Sequence, residues 1–167
     1  HHRKSPHHSS LEIETIGAIV EFAVAQIYDV DYSFDIDRKT DYGIDYMVGG
    51  KKVDTKGVFS YDRGELKVSG SKNKIRAEVY ILGHWQGRNA PTTINLLGFA
   101  TAETFLRNGY ENDWGQWALS RSFIQDLSKF VPFSNRTIDI YPKLKKDVDL
   151  VYQKIPAGDK YAYNDCK

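Results

Sequence analysis

Between Gly43 and Phe59 the chain reads GIDYMVGGKKVDTKGVF, two runs of alternating character on either side of Gly49-Gly50. Paired glycines tolerate the positive φ that a tight hairpin turn demands, so this stretch is expected to fold back on itself as two antiparallel strands. A two-residue turn pairs Val48 with Lys51, Met47 with Lys52 and Tyr46 with Val53, and sets Asp45 opposite Asp54. A four-residue loop from Gly49 to Lys52 sets Asp45 opposite Lys56 instead. Side chains alternate with period two, so both registers gather Asp45, Asp54 and Lys56 on one face and turn Ile44, Tyr46, Val48 and Val53 to the other. A three-residue loop breaks that parity.

The polar face has a chemical consequence. Like charges directly opposite on neighbouring strands repel, and a divalent cation between two carboxylates converts that repulsion into a binding site. Hard oxygen ligands suit Mg2+, or Mn2+ in its place. Lys56 lies two residues further along the same face, where its ammonium can neutralise a phosphate or orient an attacking water. Lewis acid, activated water and a cation for developing charge are the parts that metal-assisted phosphodiester hydrolysis requires.

A chain of 167 residues fits one compact domain, and 41% hydrophobic residues suffice for a core. Aromatics at 13%, including 11 Tyr, favour a sheet-containing fold. No apolar run approaches the roughly 20 residues needed to cross a bilayer, so no membrane partner is expected. His1 to Ser10 reads as an arm or tag remnant, 11–155 as a single domain and 156–167 as a tail. The lone cysteine, Cys166, excludes a disulfide framework within the chain and a Cys-based zinc site; an intracellular, cytoplasmic setting is the expectation. Net charge is +1, but it is unevenly spread: Leu11 to Gly50 carries nine acids and two bases, Lys51 to Arg76 eight bases and three acids. An acidic stretch followed by a basic one can set metal ligands beside a phosphate-binding surface.

The remaining patterns predict a helix over Thr15 to Tyr28 with Thr15 as N-cap, a strand over Tyr32 to Asp37, and a third hairpin strand over Glu65 to Ser69. Long strands follow over Lys74 to Trp85 and Thr92 to Ala100, then a helix over Thr101 to Asn108 capped by Thr101. Ser122 to Phe130 is expected to be helical and Thr137 to Tyr141 a strand. The order implies an α/β or α+β domain with a mixed central sheet. Glu21 stands out in the first helix. Its neighbours three and four residues away are Gly17, Ala18, Val24 and Ala25, so its carboxylate needs a partner, which a metal or Lys56 would supply.

A helix bearing Glu21, then Asp45 and, nine residues on, Asp54-Thr55-Lys56, resembles the PD-(D/E)XK, or restriction-endonuclease-like, nuclease superfamily. The strand from Arg76 to Leu82, and Leu96 to Thr101 leading into a helix, are similar in order to small phage and bacterial members. The resemblance covers about Thr15 to Arg107; Ile44 stands where the motif's name has proline. It implies an α/β restriction-endonuclease-like core, a mixed central sheet flanked by helices. It also implies that Asp45, Asp54, the Thr55 carbonyl and Glu21 hold Mg2+ or Mn2+, and that Lys56 is the catalytic lysine. The expected activity is endonucleolytic hydrolysis of DNA, with a homodimer favoured for a two-strand cut. The alternative is an inactive nucleic-acid-binding module of the same fold, and a third reading is an interaction domain with a structural calcium.

Lys67, Lys72, Lys74 and Arg76 are the candidates for contacts along a nucleic-acid backbone. Trp85, Trp114 and Trp117 are assigned to packing rather than to base stacking, Glu78 to a structural role at the edge of a strand, and Lys143 to Lys146 to a solvated face.

Overall fold

The computed structural model describes residues 10–28, 30, 46–59, 64–85, 93–130 and 137–139. The strand expected over Tyr32 to Asp37, the Gln86 to Pro91 turn, Lys143 to Lys146 and the C-terminal tail lie outside them, as does Asp45. Helix α1 spans Ser10–Ile27. It starts earlier than predicted, so Thr15 is inside the helix rather than its cap, and the arm expected over 1–10 gives up its last residue. Ile19, Val20, Ala23 and Val24 on α1 are fully buried.

Strands β1 (Tyr46–Val48) and β2 (Lys51–Val58) form the hairpin in the two-residue register: Tyr46 pairs with Val53, Met47 with Lys52 and Val48 with Lys51. Gly49 and Gly50 have φ of 56° and 77°, the left-handed conformation that a side chain would oppose. Strands β4 (Val79–Trp85), β5 (Thr93–Thr101) and β8 (Thr137–Asp139) complete a sheet of five strands, ordered β1-β2-β4-β5-β8. The β2–β4 pair is parallel and the other pairs are antiparallel. The sheet is therefore mixed, as expected.

A parallel pair needs a crossover, and here the crossover carries β3 (Leu66–Ser69), which leaves the main sheet altogether. It pairs with β7 (Gln116–Leu119), which pairs with β6 (Tyr110–Glu111), giving a second sheet of three strands. Two cores result, one on each face of the main sheet. On one face α1 packs over Val53, Val79, Ile81, Ile94, Leu96 and Phe99. On the other, the small sheet and helix α2 (Ala102–Asn108) cover Tyr80, Leu82, Leu97 and Ala100 with Leu66, Phe105 and Leu119. Thr101 caps α2 as predicted, its side chain accepting from Thr104 N at 3.2 Å.

Three expectations are corrected. The strand predicted from Lys74 starts only at Val79, because Lys72–Lys74 form a 3-10 turn capped by Ser71. The residues between turn and strand have their amides held elsewhere. The helix predicted over Ser122 to Phe130 is two 3-10 turns, Arg121–Phe123 and Leu127–Lys129. Between them Gln125 forms a two-way backbone bridge with Phe99, at 2.8 and 2.9 Å. The third hairpin strand exists, but in the second sheet. No helix among the described residues is long and apolar enough to cross a membrane.

Candidate active site

From Val53 to Thr55 strand β2 is buried on both faces, so its alternation decides which core each side chain meets. Val53 joins the α1 core, and the next residues outward on the opposite face are Asp54, Lys56 and Val58, the last packing against the small-sheet core. Asp54 is 4% exposed. A carboxylate so buried requires compensation, and Lys56 supplies it: Nζ lies 2.8 Å from Asp54 Oδ2. The Lys56 side chain is 33% exposed, so its ammonium links a buried anion to the surface.

Tyr80, which the sequence reading did not single out, is the third member of this group. It is the Cα partner of Asp54 across the parallel pair and is 1% exposed. Its phenol oxygen accepts from Arg76 N at 3.0 Å and Ala77 N at 3.3 Å, and its ring meets Phe105 edge-on at 5.2 Å. Burial pushes the Tyr80 phenol above its ordinary pKa. The two N–H donors pull it back, and the nearby Asp54 raises it while Lys56 lowers it. The sequence offered only a polar tip in an apolar strand, a sign that a hydrogen-bond partner was needed but not which one.

Register at this end of the sheet is fixed by Glu78. Its Oε1 accepts from Lys52 N at 3.0 Å, its own N donates to Lys52 O at 2.8 Å, and Lys51 Nζ is 3.9 Å from Oε2. Its carbonyl also accepts from Ala102 N at 2.9 Å. Glu78 is thus the structural edge residue expected of it, clamping the start of β2 to the start of β4 so that Asp54 faces Tyr80.

The other candidates are placed as follows. Glu21 belongs to α1, which covers the opposite face of the sheet from Asp54 and Lys56, and it is half-buried there. The structure brings Asp54 and Lys56 together and leaves Glu21 on the other side of the strand. Thr55 is buried, its side chain alternating to the α1 face, and only its backbone carbonyl was a candidate. Among the described residues no group of three or more His, Cys, Asp or Glu is arranged to hold a metal. Among the described residues, the Asp54 carboxylate beside Lys56 is a hard oxygen donor, matched in chemistry to Mg2+ or Mn2+.

Lys67, Lys72, Lys74 and Arg76 are all exposed. Lys67 lies on the outer face of β3, between the buried Leu66 and Val68; the other three sit on and just after the 3-10 turn. Trp85 is buried and stacks edge-on against Phe59, and Trp117 Nε1 donates to Phe105 O at 2.9 Å, so both serve packing. Trp114 departs from that assignment, with 43% of its surface exposed. No family model, curated protein or solved structure matches the chain.

Proposed function

We propose that this chain is a divalent-metal-dependent nuclease with a restriction-endonuclease-like core, hydrolysing phosphodiester bonds in DNA. The observation that carries the reading is the Asp54–Lys56 pair, a buried carboxylate and the ammonium of a one-third-exposed lysine 2.8 Å apart, two residues apart on one strand. The strand order around it also supports the reading: a hairpin, then a parallel neighbour reached by crossover, with α1 on one face.

In this account Asp54 would hold the ion, with Asp45 and the Thr55 carbonyl as further proposed ligands; Glu21, on the helix that covers the other face of the strand, is not among them. Mg2+ or Mn2+, when bound there, would supply Lewis-acid chemistry. Lys56 meets the substrate. Its ammonium reaches solvent, so it neutralises a non-bridging oxygen of the scissile phosphate and orients the attacking water. The water oxygen bonds to phosphorus, the P–O bond to one sugar oxygen breaks, and the proton from water ends on that leaving oxygen. Glu78 clamps β2 to the start of β4, and the Tyr80 hydroxyl ties the Arg76 and Ala77 amides to β4, which holds the basic segment relative to Asp54.

The test is a panel of supercoiled, linear duplex, single-stranded and branched DNA, with RNA, incubated with magnesium or manganese. Cleavage of at least one form, lost on chelation, supports the reading. Intact substrates throughout, in a folded preparation, overturn it and favour a binding module.

A further inference from the structure

We propose that the rim of the three-stranded sheet, formed by the β6–β7 turn and the segment from Ser71 to Arg76, binds single-stranded nucleic acid. Trp114 stacks on an unpaired base there, and Lys72, Lys74 and Arg76 take the phosphates. The proposal rests on the nucleic-acid reading above for its class of ligand, and not on cleavage.

Trp114 is 43% exposed, yet its backbone is tightly held. Asn112 Oδ1 accepts from Trp114 N at 3.0 Å and Gln116 N at 2.9 Å, Gly115 N donates to Asn112 O at 3.1 Å, and Gly115 turns with φ 71°. A large ring on a rigid turn offers contact area with little backbone ordering left to lose.

The basic segment meets this turn across Gln116. Gln116 pairs with Ser69 and bridges Gly70, while its Oε1 accepts from Asn112 Nδ2 at 3.0 Å. The stem of Lys74 lies along Gly70, where a Cβ would come 3.2 Å from Lys74 Cγ. Lys72 and Lys74 project from a turn that Ser71 caps, and the backbone of Arg76 is fixed by Tyr80. From Leu66 to Ala77 there are four bases and no acid. Asp113 and Glu111 are exposed acids on the β6 side of this turn, so a phosphate backbone runs along the Lys72 side and presents a base to the ring. A single strand can do this because its bases unstack at little cost; a duplex offers an aromatic face only at its ends.

The experiment measures binding of a short oligothymidylate and of a duplex by fluorescence anisotropy, with EDTA present, over a range of salt. Trp114→Ala should weaken the single strand about 5- to 150-fold, while Trp114→Phe retains most of the affinity. Replacing Lys72 and Lys74 by Ala should lower the slope of log affinity against log salt by about 1.4, two phosphates' worth. Unchanged single-strand affinity in Trp114→Ala, or an equal loss for duplex, overturns the proposal. A chain that binds in this way but cuts nothing overturns the nuclease reading and leaves this surface standing.

Discussion

Lys56 Nζ lies 2.8 Å from Asp54 Oδ2, so the carboxylate that β2 buries carries its counter-charge two residues along the same strand. The sequence reads Lys56 as a residue of the chemistry, and the distance gives it a part in stability as well. Lys56→Met removes the cation beside a carboxylate whose side chain is 5% exposed. Removing one partner of a fully buried pair costs about 3–5 kcal/mol, and the exposure of Lys56 screens this to about 1–3 kcal/mol. Adding Asp54→Asn to Lys56→Met should recover most of the loss, which denaturant melts of the two single variants and the double variant will read as a coupling energy. Additive losses would mean that the pair is not energetically coupled.

Tyr80→Phe removes the acceptor for Arg76 N and Ala77 N without changing the shape of the ring. The Ala77 amide is in a buried setting, and an orphaned buried donor costs about 1–3 kcal/mol. Hydrogen exchange should accelerate at both amides and stay slow at Ile81 and Leu82 in the body of β4. Equal protection of Arg76 and Ala77 in parent and variant would show that the phenol does not hold this segment.

Burial pushes the Tyr28 phenol from 10.0 to about 12. The folded state thus holds that proton more tightly than the unfolded chain does. Its contribution to stability is complete below pH 10.0 and is lost as pH rises towards about 12. Tyr80 shifts in the same direction. Chemical melts across that window should show stability falling with pH, and Tyr28→Phe should fall less steeply. Parallel declines would assign the alkaline sensitivity to other groups.

At Gly98, φ is 144° and an added Cβ would collide with the Gln125 carbonyl oxygen. This is where β5 carries one extra residue, Leu97, against β4 and receives the Phe99–Gln125 bridge. Gly98→Ala should cost about 3 kcal/mol or more through overpacking and backbone strain together. Thermal melts test it; a shift of only a degree or two would mean that the 121–130 segment can move away freely.

The hairpin was legible because everything that sets it is local: two glycines fix the turn, the turn fixes the register, and Val48 and Val53 fill the core-facing positions. Thr101 was legible for the same reason. The second sheet was not. β6 has two residues and β7 four, and β3, the other partner of β7, lies some 50 residues upstream, so no periodicity within a window announces them. Phe123, Ile124, Leu127 and Phe130 have the spacing of a helix face. Asp126 instead accepts from Ser128 N at 2.9 Å, and Gln125 gives its backbone to Phe99. Local capping and a non-local bridge outcompeted helix propensity. At the site, the residues of β2 were readable one by one, but Tyr80 was not, because the register of a parallel pair depends on the Glu78 clamp across the sheet.

The most direct test of the account is nicking of supercoiled plasmid in magnesium by the parent, Asp54→Asn and Lys56→Met, each assayed at a temperature where it is folded. The parent should convert the plasmid, and each variant should be slower by about 10²–10³, the usual worth of a group that stabilises developing charge. Parent-rate nicking by folded Lys56→Met would contradict the central claim, leaving the Asp54–Lys56 pair a structural ion pair and nothing more.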